Sequence, residues 1–314
     1  MNMDDKEQIF KKKNIRILCA LISTALWGSA FPCIKLGYQV WQIQAEDTAS
    51  QMIFAGERFI LAGLMTILVA HFMERDGVQK GKRWKDLQKI LLLGVVQTAL
   101  QYVFYYRAMA HVTGVKGAII NGSSAFVCVL MARIYYKKKE RLSRNRIIGC
   151  ILGFAGIVIV NLGKGNLGTE WSFPGEGFMI LSVILSAAGS LMSKELAKEI
   201  KPVTLCGGQL LSGGILLTAA GYVAGGHMNW NNVTTNGIIL LLYLAFISAA
   251  AFSLWTLLLK YNKMAEVTVF NFMIPVFGTI LSALFLKETL WNPYILSSLP
   301  LVCVGIFLVQ KRAD

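Results

Sequence analysis

The sequence predicts an all-α integral membrane protein, with ten transmembrane helices forming two inverted five-helix repeats around a central cavity. Three observations predict this class: a composition poor in charge, apolar runs alternating with basic and non-basic loops, and an internal repeat.

Of the 314 residues, 55% are hydrophobic and 15% charged, and the mean hydropathy is +0.56. Soluble domains carry roughly 25% charged residues, so this chain lacks the charge needed to cover a water-facing surface. The net charge is +14, but the basic residues sit mostly in short loops between apolar runs, which speaks against nucleic-acid binding. Cys19, Cys33, Cys128, Cys150, Cys206 and Cys303 all lie in apolar stretches. They read as buried small side chains rather than a disulfide framework or a CxxC metal site. The N-terminal stretch MNMDDKEQIFKKKNIR runs into a long span without a small-residue cleavage site, so no cleavable leader is expected.

A helix crossing ~30 Å of hydrocarbon needs about 20 mostly apolar residues. Open strands cannot span, because their unpaired backbone groups would face lipid. Ten runs qualify: 16–36, 51–72, 88–108, 115–136, 146–162, 175–194, 203–223, 236–259, 266–286 and 293–310. The connections test the count. KKKNIR (11–16), residues 73–89, YKKKERLSRNR (136–146), KELAKEIK (194–201), KYNKMAE (260–266) and the final QKRAD are rich in Lys and Arg. On the alternate side, 37–50 and 225–237 have none, and HVTGVK, GKGNLGTEWSFPGEG and LKETLWNP carry a single Lys each. The positive-inside rule therefore places both termini in the cytoplasm and the chain, as a multi-pass protein, in the inner (cytoplasmic) membrane.

The repeat fixes the architecture. YVFYYRAMAHVTGVKGAIINGSSAF (102–126) aligns with FSLWTLLLKYNKMAEVTVFNFMIPV (252–276) at an offset of 150, pairing Tyr102 with Phe252, Tyr105 with Trp255 and Asn121 with Asn271. KKKERL near Glu140 corresponds to LKETL near Glu288, and Gly63 pairs with Gly214 at nearly the same spacing, as Gly156 does with Gly305. Each block holds five spans. Five is odd, so the second block enters the membrane from the opposite side, the inverted arrangement of secondary transporters with substrate near the midplane. The chain divides into a cytoplasmic tail (1–15), a first repeat (16–162), an external connection (163–174), a second repeat (175–310) and a second cytoplasmic tail (311–314).

LWGSAFPCIKLG (26–37), ERFILAGLM (57–65), YVFYYRAMAHVTGVKGAII (102–120) and FNFMIPVFGTILSALFLKETL (270–290) resemble the ten-span EamA-type branch of the drug/metabolite transporter superfamily. The likeness covers essentially the whole chain. It implies spans 1–4 and 6–9 around the cavity, with spans 5 and 10 peripheral and at a possible homodimer contact. Family substrates include amino acids, nucleotide sugars and choline-like amines. Two departures stand out: Ala125 occupies a position where many members have Pro, and KKE replaces the LGE ending of span four.

Polar side chains within a bilayer usually face the protein interior or a water-filled cavity. Glu57 and Arg58 lie inside span two, and adjacent residues point about 100° apart on a helix. Arg58 reads equally as a structural lock or a cavity group. Glu57 is the candidate coupling residue, as a protonatable group or a cation contact. Gln97, Gln101 and Tyr105 share one face of span three; they either line the cavity or bond between helices. Asn121, Ser123 and Ser124 in span four and Asn271 in span nine extend that surface, with Ser186, Ser190, Gln209 and Ser212 as counterparts in spans six and seven. Trp27, Tyr102, Tyr105, Phe252 and Trp255 are core or interfacial aromatics when taken singly. Together they suit a planar substrate or an organic cation. Pro32 and Pro275 are candidate hinges, because proline frees a backbone carbonyl and bends a helix. Lys35, Arg107, Arg133 and Lys194 lie nearer span ends and are expected to snorkel.

There is no GxSxG, P-loop or HExxH motif, so neither an enzyme nor an ATP-driven pump is expected, and neither cofactor nor metal. The expected partners are a small-molecule substrate, membrane lipid, and a proton or exchange substrate. The leading functional expectation is export of amino acids or related metabolites by alternating access. Uptake of a choline-like organic cation comes next, and a non-transporting membrane scaffold or receptor is the rival of another class.

Overall fold

The computed structural model describes residues 8–74, 83–112, 114–137, 143–162, 171–230, 233–286 and 293–310. Among these residues the chain is helical, without strands. We label the helices α1 (Lys13–Val40), α2 (Thr48–Met73), α3 (Trp84–Met109), α4 (Gly117–Tyr136), α5 (Arg144–Leu162), α6 (Phe173–Leu196), α7 (Pro202–Val223), α8 (Thr235–Tyr261), α9 (264–286) and α10 (Pro293–Gln310). Seven of them, α1–α4 and α6–α8, are long and apolar enough to cross a membrane. Lys138 and Lys139 of KKKERL and Lys287 of LKETL lie outside the described residues.

Side-chain exposure follows helical periodicity. Leu64, Leu68 and Phe72 stand at i, i+4 and i+8 on α2, and Ile238, Leu242 and Phe246 repeat the spacing on α8; all six are exposed. Such stripes suit lipid, where apolar surface has no reason to hide. Helix ends are closed by side chains. Asp47 accepts from Ser50 N at 2.9 Å at the start of α2, and Thr234 accepts from Gly237 N at 3.3 Å at the start of α8. The Glu74 carboxylate accepts from Val203 N, Thr204 N and Thr204 Oγ1, tying the end of α2 to the start of α7.

The closest helix approach joins α2 to α7 through glycines. A Cβ on Gly63 would lie 2.5 Å from Leu211 N, and one on Gly214 would lie 2.8 Å from Ile60 N. A Cβ on Gly56 would lie 2.7 Å from Thr218 N, and one on Gly207 would lie 3.0 Å from Ile67 N. Each contact exchanges with its partner under one step along the chain, which carries Gly63 to Gly214, Ile60 to Leu211, Gly56 to Gly207 and Ile67 to Thr218. This is the pattern of a two-fold contact within one chain. α5 and α10 behave alike: Gly149 backs onto the Gly305 carbonyl and Gly156 onto the Ser298 carbonyl. The remaining neighbours also come in pairs. α1 packs on α8 and α9 as α6 packs on α3 and α4, and α2 meets α8 as α7 meets α3.

Several helices are interrupted. α4 breaks at Ser123, between Gly114–Gly122 and Ser124–Tyr136. α9 passes from α-helix (Met264–Thr268) through a 3₁₀ turn (Val269–Phe272) to α-helix again at Met273. α3 contains a π-helical turn at Val95–Leu100, and α6 opens with one at Phe173–Gly177. By contrast α1 runs unbroken from Lys13 to Val40 with Pro32 inside it.

At the bundle end where the described chain starts and stops, one polar network joins five helices. Arg16 of α1 donates to Glu266 Oε2 at 2.5 Å, to Gln310 Oε1 at 2.7 Å and to Asn262 Oδ1 at 3.3 Å. Arg146 of α5 reaches Glu266 Oε1 at 3.5 Å. Two expectations need correction. Lys194 does not snorkel: it is 9% exposed and donates to the Leu259 and Asn262 carbonyls at the end of α8. Those carbonyls lack helical donors, so a buried ammonium is better satisfied there than at a lipid surface. Cys303 is exposed rather than buried, on α10.

Candidate functional site

The aromatics meet on the inner faces of α1, α2, α3 and α8. Trp27 projects from α1 one turn before Pro32, where Gly28 lets α1 approach the α9 backbone: a Cβ there would lie 2.9 Å from Gly278 N. Its ring stands edge-on to Phe252 at 5.1 Å and to Trp255 at 5.0 Å, both on α8. Phe252 in turn lies 6.2 Å from Phe59 of α2, and Phe59 lies 4.8 Å from Tyr102 of α3. Tyr102 continues to Tyr105 at 6.2 Å and Tyr106 at 6.1 Å. One chain of edge-to-face rings, the geometry that aromatic quadrupoles favour, therefore links α8 through α1 and α2 to α3. Repeat-related Tyr102 and Phe252 flank the same Phe59.

Several polar groups on these and neighbouring helices lack partners. Trp27 Nε1, Glu57 Oε2, Arg58 Nε, Gln97 Oε1, Gln209 Oε1 and Asn271 Oδ1 are buried atoms without a hydrogen-bond partner among the described residues. Buried polar atoms are bonded in the great majority of cases, so each of these has room for a donor or acceptor from outside the chain. Glu57 is partly accessible whereas Arg58 is buried, and the Arg58 guanidinium carbon sits 4.4 Å from the Phe59 ring centroid.

The predicted residues fall into three groups. Trp27, Tyr102, Tyr105, Phe252 and Trp255 share the ring cluster. Gln97 and Gln101 lie on α3, with Gln97 inside the π-helical turn, where Gly189 of α6 backs directly onto its side chain. Gln209 and Ser190 are buried on α7 and α6, and Ser190 faces Cys128 of α4. Asn121 and Ser124 flank the break in α4, and Asn271 lies in the 3₁₀ turn of α9; none of these three is in ring contact with the cluster. Pro275 is the third residue of the α-helix that resumes after that turn. Phe59 and Tyr106 were missed by sequence reasoning, since one more ring in an apolar span carries no signal. Tyr38 of α1 was missed for the same reason, although it stands beside Tyr106.

Comparison with known proteins identifies the family. The model of the EamA-like transporter family matches residues 14–162 and again 173–310, one match per half. A protein of Archaeoglobus fulgidus named as an uncharacterized transporter is 24% identical over 93% of this chain and 97% of its own length. Another so named, from Synechocystis sp., is 25% identical over 97% of this chain and 93% of its own. A solved crystal structure shares the fold with a TM-score of 0.75 at 16% identity, covering 93% of this chain and 95% of that one. With two family matches that together span nearly all of its helices, the chain belongs to the EamA-like transporter family of membrane proteins.

Proposed function

We propose that the chain is a ten-span secondary transporter that moves small organic metabolites across the cytoplasmic membrane by alternating access, with amino acids or related compounds, exported, as the first class. The observation that carries this reading is the convergence of both halves on one site. Trp27, Phe59 and Tyr102 come from the first half and Phe252 and Trp255 from the second, and Trp27 Nε1 and the adjoining Glu57 and Arg58 carry unpartnered polar atoms.

An inverted pair of five-span repeats is supported by the reciprocal glycine contacts of α2 with α7 and of α5 with α10. It is also supported by the interruptions at Ser123 and at Val269–Phe272, which fall at repeat-related positions beside Asn121 and Asn271. Discontinuous helices at the midplane are where transporters of this architecture bind substrate. Pro32 and Pro275 serve as hinges in this reading, Glu57 as the coupling group, and the basic loops hold both termini in the cytoplasm.

The test begins with a thermal-shift metabolite screen on purified protein, followed by vesicle flux with the compounds that stabilise it. Single cysteines at Asn121 and Asn271 should label from opposite sides in turn as substrate and gradient are varied. Labelling fixed on one side, with no flux of any stabilising compound, would favour a membrane scaffold or receptor instead. Glu57→Gln should abolish flux driven by a pH gradient while leaving substrate exchange intact.

A further inference from the structure

Arg58 presents a charge that nothing in the described protein answers. Its side chain is 5% exposed, its Nε has no partner, and no carboxylate forms an ion pair with it among the described residues. The adjacent Glu57 does not fill that role; its own Oε2 is also unpartnered. The guanidinium lies against a ring face at the edge of a cluster of phenols. Phe59 lies 4.4 Å from it, and Tyr102, 4.8 Å from Phe59, carries the ring cluster on to Tyr105 and Tyr106. Burying a cation without an anion is costly, and intramembrane arginines normally pair or line a functional pathway.

Guanidinium offers five N–H donors in a planar fork and no acceptor, while each phenol adds an O–H. A group of donors around a single positive charge suits a planar monoanion that accepts in the plane of the fork, which is a carboxylate. A phosphate dianion fits less well, since Glu57 contributes a carboxyl on the next residue and no second cation contacts Arg58 among the described residues.

Resting on the transporter reading above, we propose that Arg58 with Tyr102, Tyr105 and Tyr106 binds the carboxylate of the transported molecule. The substrate class is then small monocarboxylates, amino acids included, and not amines that lack a carboxylate. Within an amino acid, the ammonium and side chain would fall toward Glu57 and the rings of Trp27, Phe252 and Trp255.

The experiment uses the full-length protein purified in detergent. Its thermal shift is read against the twenty amino acids, simple 2-oxo acids and short monocarboxylates, each matched with its methyl ester and its decarboxylated amine, and against choline. At least one carboxylate should stabilise the protein while its ester and amine do not. Arg58→Gln should weaken that ligand about 10- to 100-fold, the loss of a charge-assisted bidentate contact. Arg58→Lys should recover only part of the binding, because it restores charge without the fork. Tyr105→Phe should weaken binding less than Arg58→Gln. The ligand-free melting temperature of Arg58→Gln should not fall, since the variant removes an unanswered buried charge; a structural lock would predict a large drop. Esters or amines binding as well as acids, no carboxylate shifting the wild type, or Arg58→Gln binding like wild type would each overturn the inference. Transport of choline by wild type and Arg58→Gln alike would overturn it while leaving the transporter reading intact. Carboxylate binding without vesicle flux would do the reverse.

Discussion

The α2–α7 seam gives a perturbation whose size follows from distances. In Gly63→Ala the new methyl carbon would lie 2.5, 2.7 and 2.8 Å from the Leu211 backbone N, Cα and Cβ. Ordinary contact begins at 3.4 Å, so the helices must part by roughly 0.9 Å there, and backbone cannot rotate aside as a long side chain would. A gap of 0.5–1 Å already forfeits a quarter to a half of each dispersion contact. The loss extends along the seam, since Gly56 of α2 approaches α7 there and Gly207, Gly214 and Gly221 of α7 approach α2. Overpacking of this kind costs about 1–3 kcal/mol, and no hydrophobic gain between helices in lipid offsets it. At about 2–4 °C per kcal/mol, we expect each of Gly63→Ala and Gly214→Ala to lower the melting temperature by roughly 2–12 °C. Because the two contacts are reciprocal, the drops should be similar. The double variant should lose less than their sum, as one separation accommodates both methyls; a double-mutant cycle reads that coupling. The assay is thermal unfolding of detergent-purified protein followed by tryptophan fluorescence. Melting temperatures within about 1 °C of wild type, or losses that simply add, would refute a shared close-packed seam.

Glu266→Gln should destabilise the terminal network by about 3–5 kcal/mol, because it removes the carboxylate that Arg16 holds at 2.5 Å; an unchanged melting temperature would count against a structural network there. Lys194→Met should cost about 1.5–3 kcal/mol by exposing the Leu259 and Asn262 carbonyls to an apolar neighbour, and hydrogen exchange should rise at the end of α8. Glu74→Ala should cost about 1 kcal/mol as a lost helix cap, with exchange rising at Val203 and Thr204 rather than along α2. Trp27→Ala should cost about 3–5 kcal/mol of stability, since its ring meets both Phe252 and Trp255; a loss below 1 kcal/mol would mean the rings close up behind it.

How much of this was legible varies with range along the chain. The helices were, because long apolar runs have one stable form in lipid. The ring cluster was half legible: Trp27, Tyr102, Tyr105, Phe252 and Trp255 announced themselves through the repeat, but Phe59, which joins the groups, did not. Arg58 was visible as an oddity, yet whether it had a counter-ion depended on packing that no spacing encodes. The Arg16–Glu266 contact joins residues 250 apart in sequence, and Glu266 sits in a loop-like motif whose only sign was its charge. Lys194 misled because a lysine near a span end normally finds the interface, whereas here the end of α8 comes to meet it. Gly63 and Gly214 were noticed as a pair without any sign that each faces the other's helix.

That last feature has a mechanical consequence. Two helices that approach each other's backbone at several levels leave little side-chain bulk between them to take up sliding or rotation. α2 and α7 should therefore travel as one rod, a spine shared by the two halves, however the surrounding helices rearrange. Glu57 and Arg58 are mounted on that spine, while Trp27, Tyr102, Phe252 and Trp255 ride on the helices around it. A bound molecule would then keep its grip on fixed charges while the aromatic walls are exchanged about it.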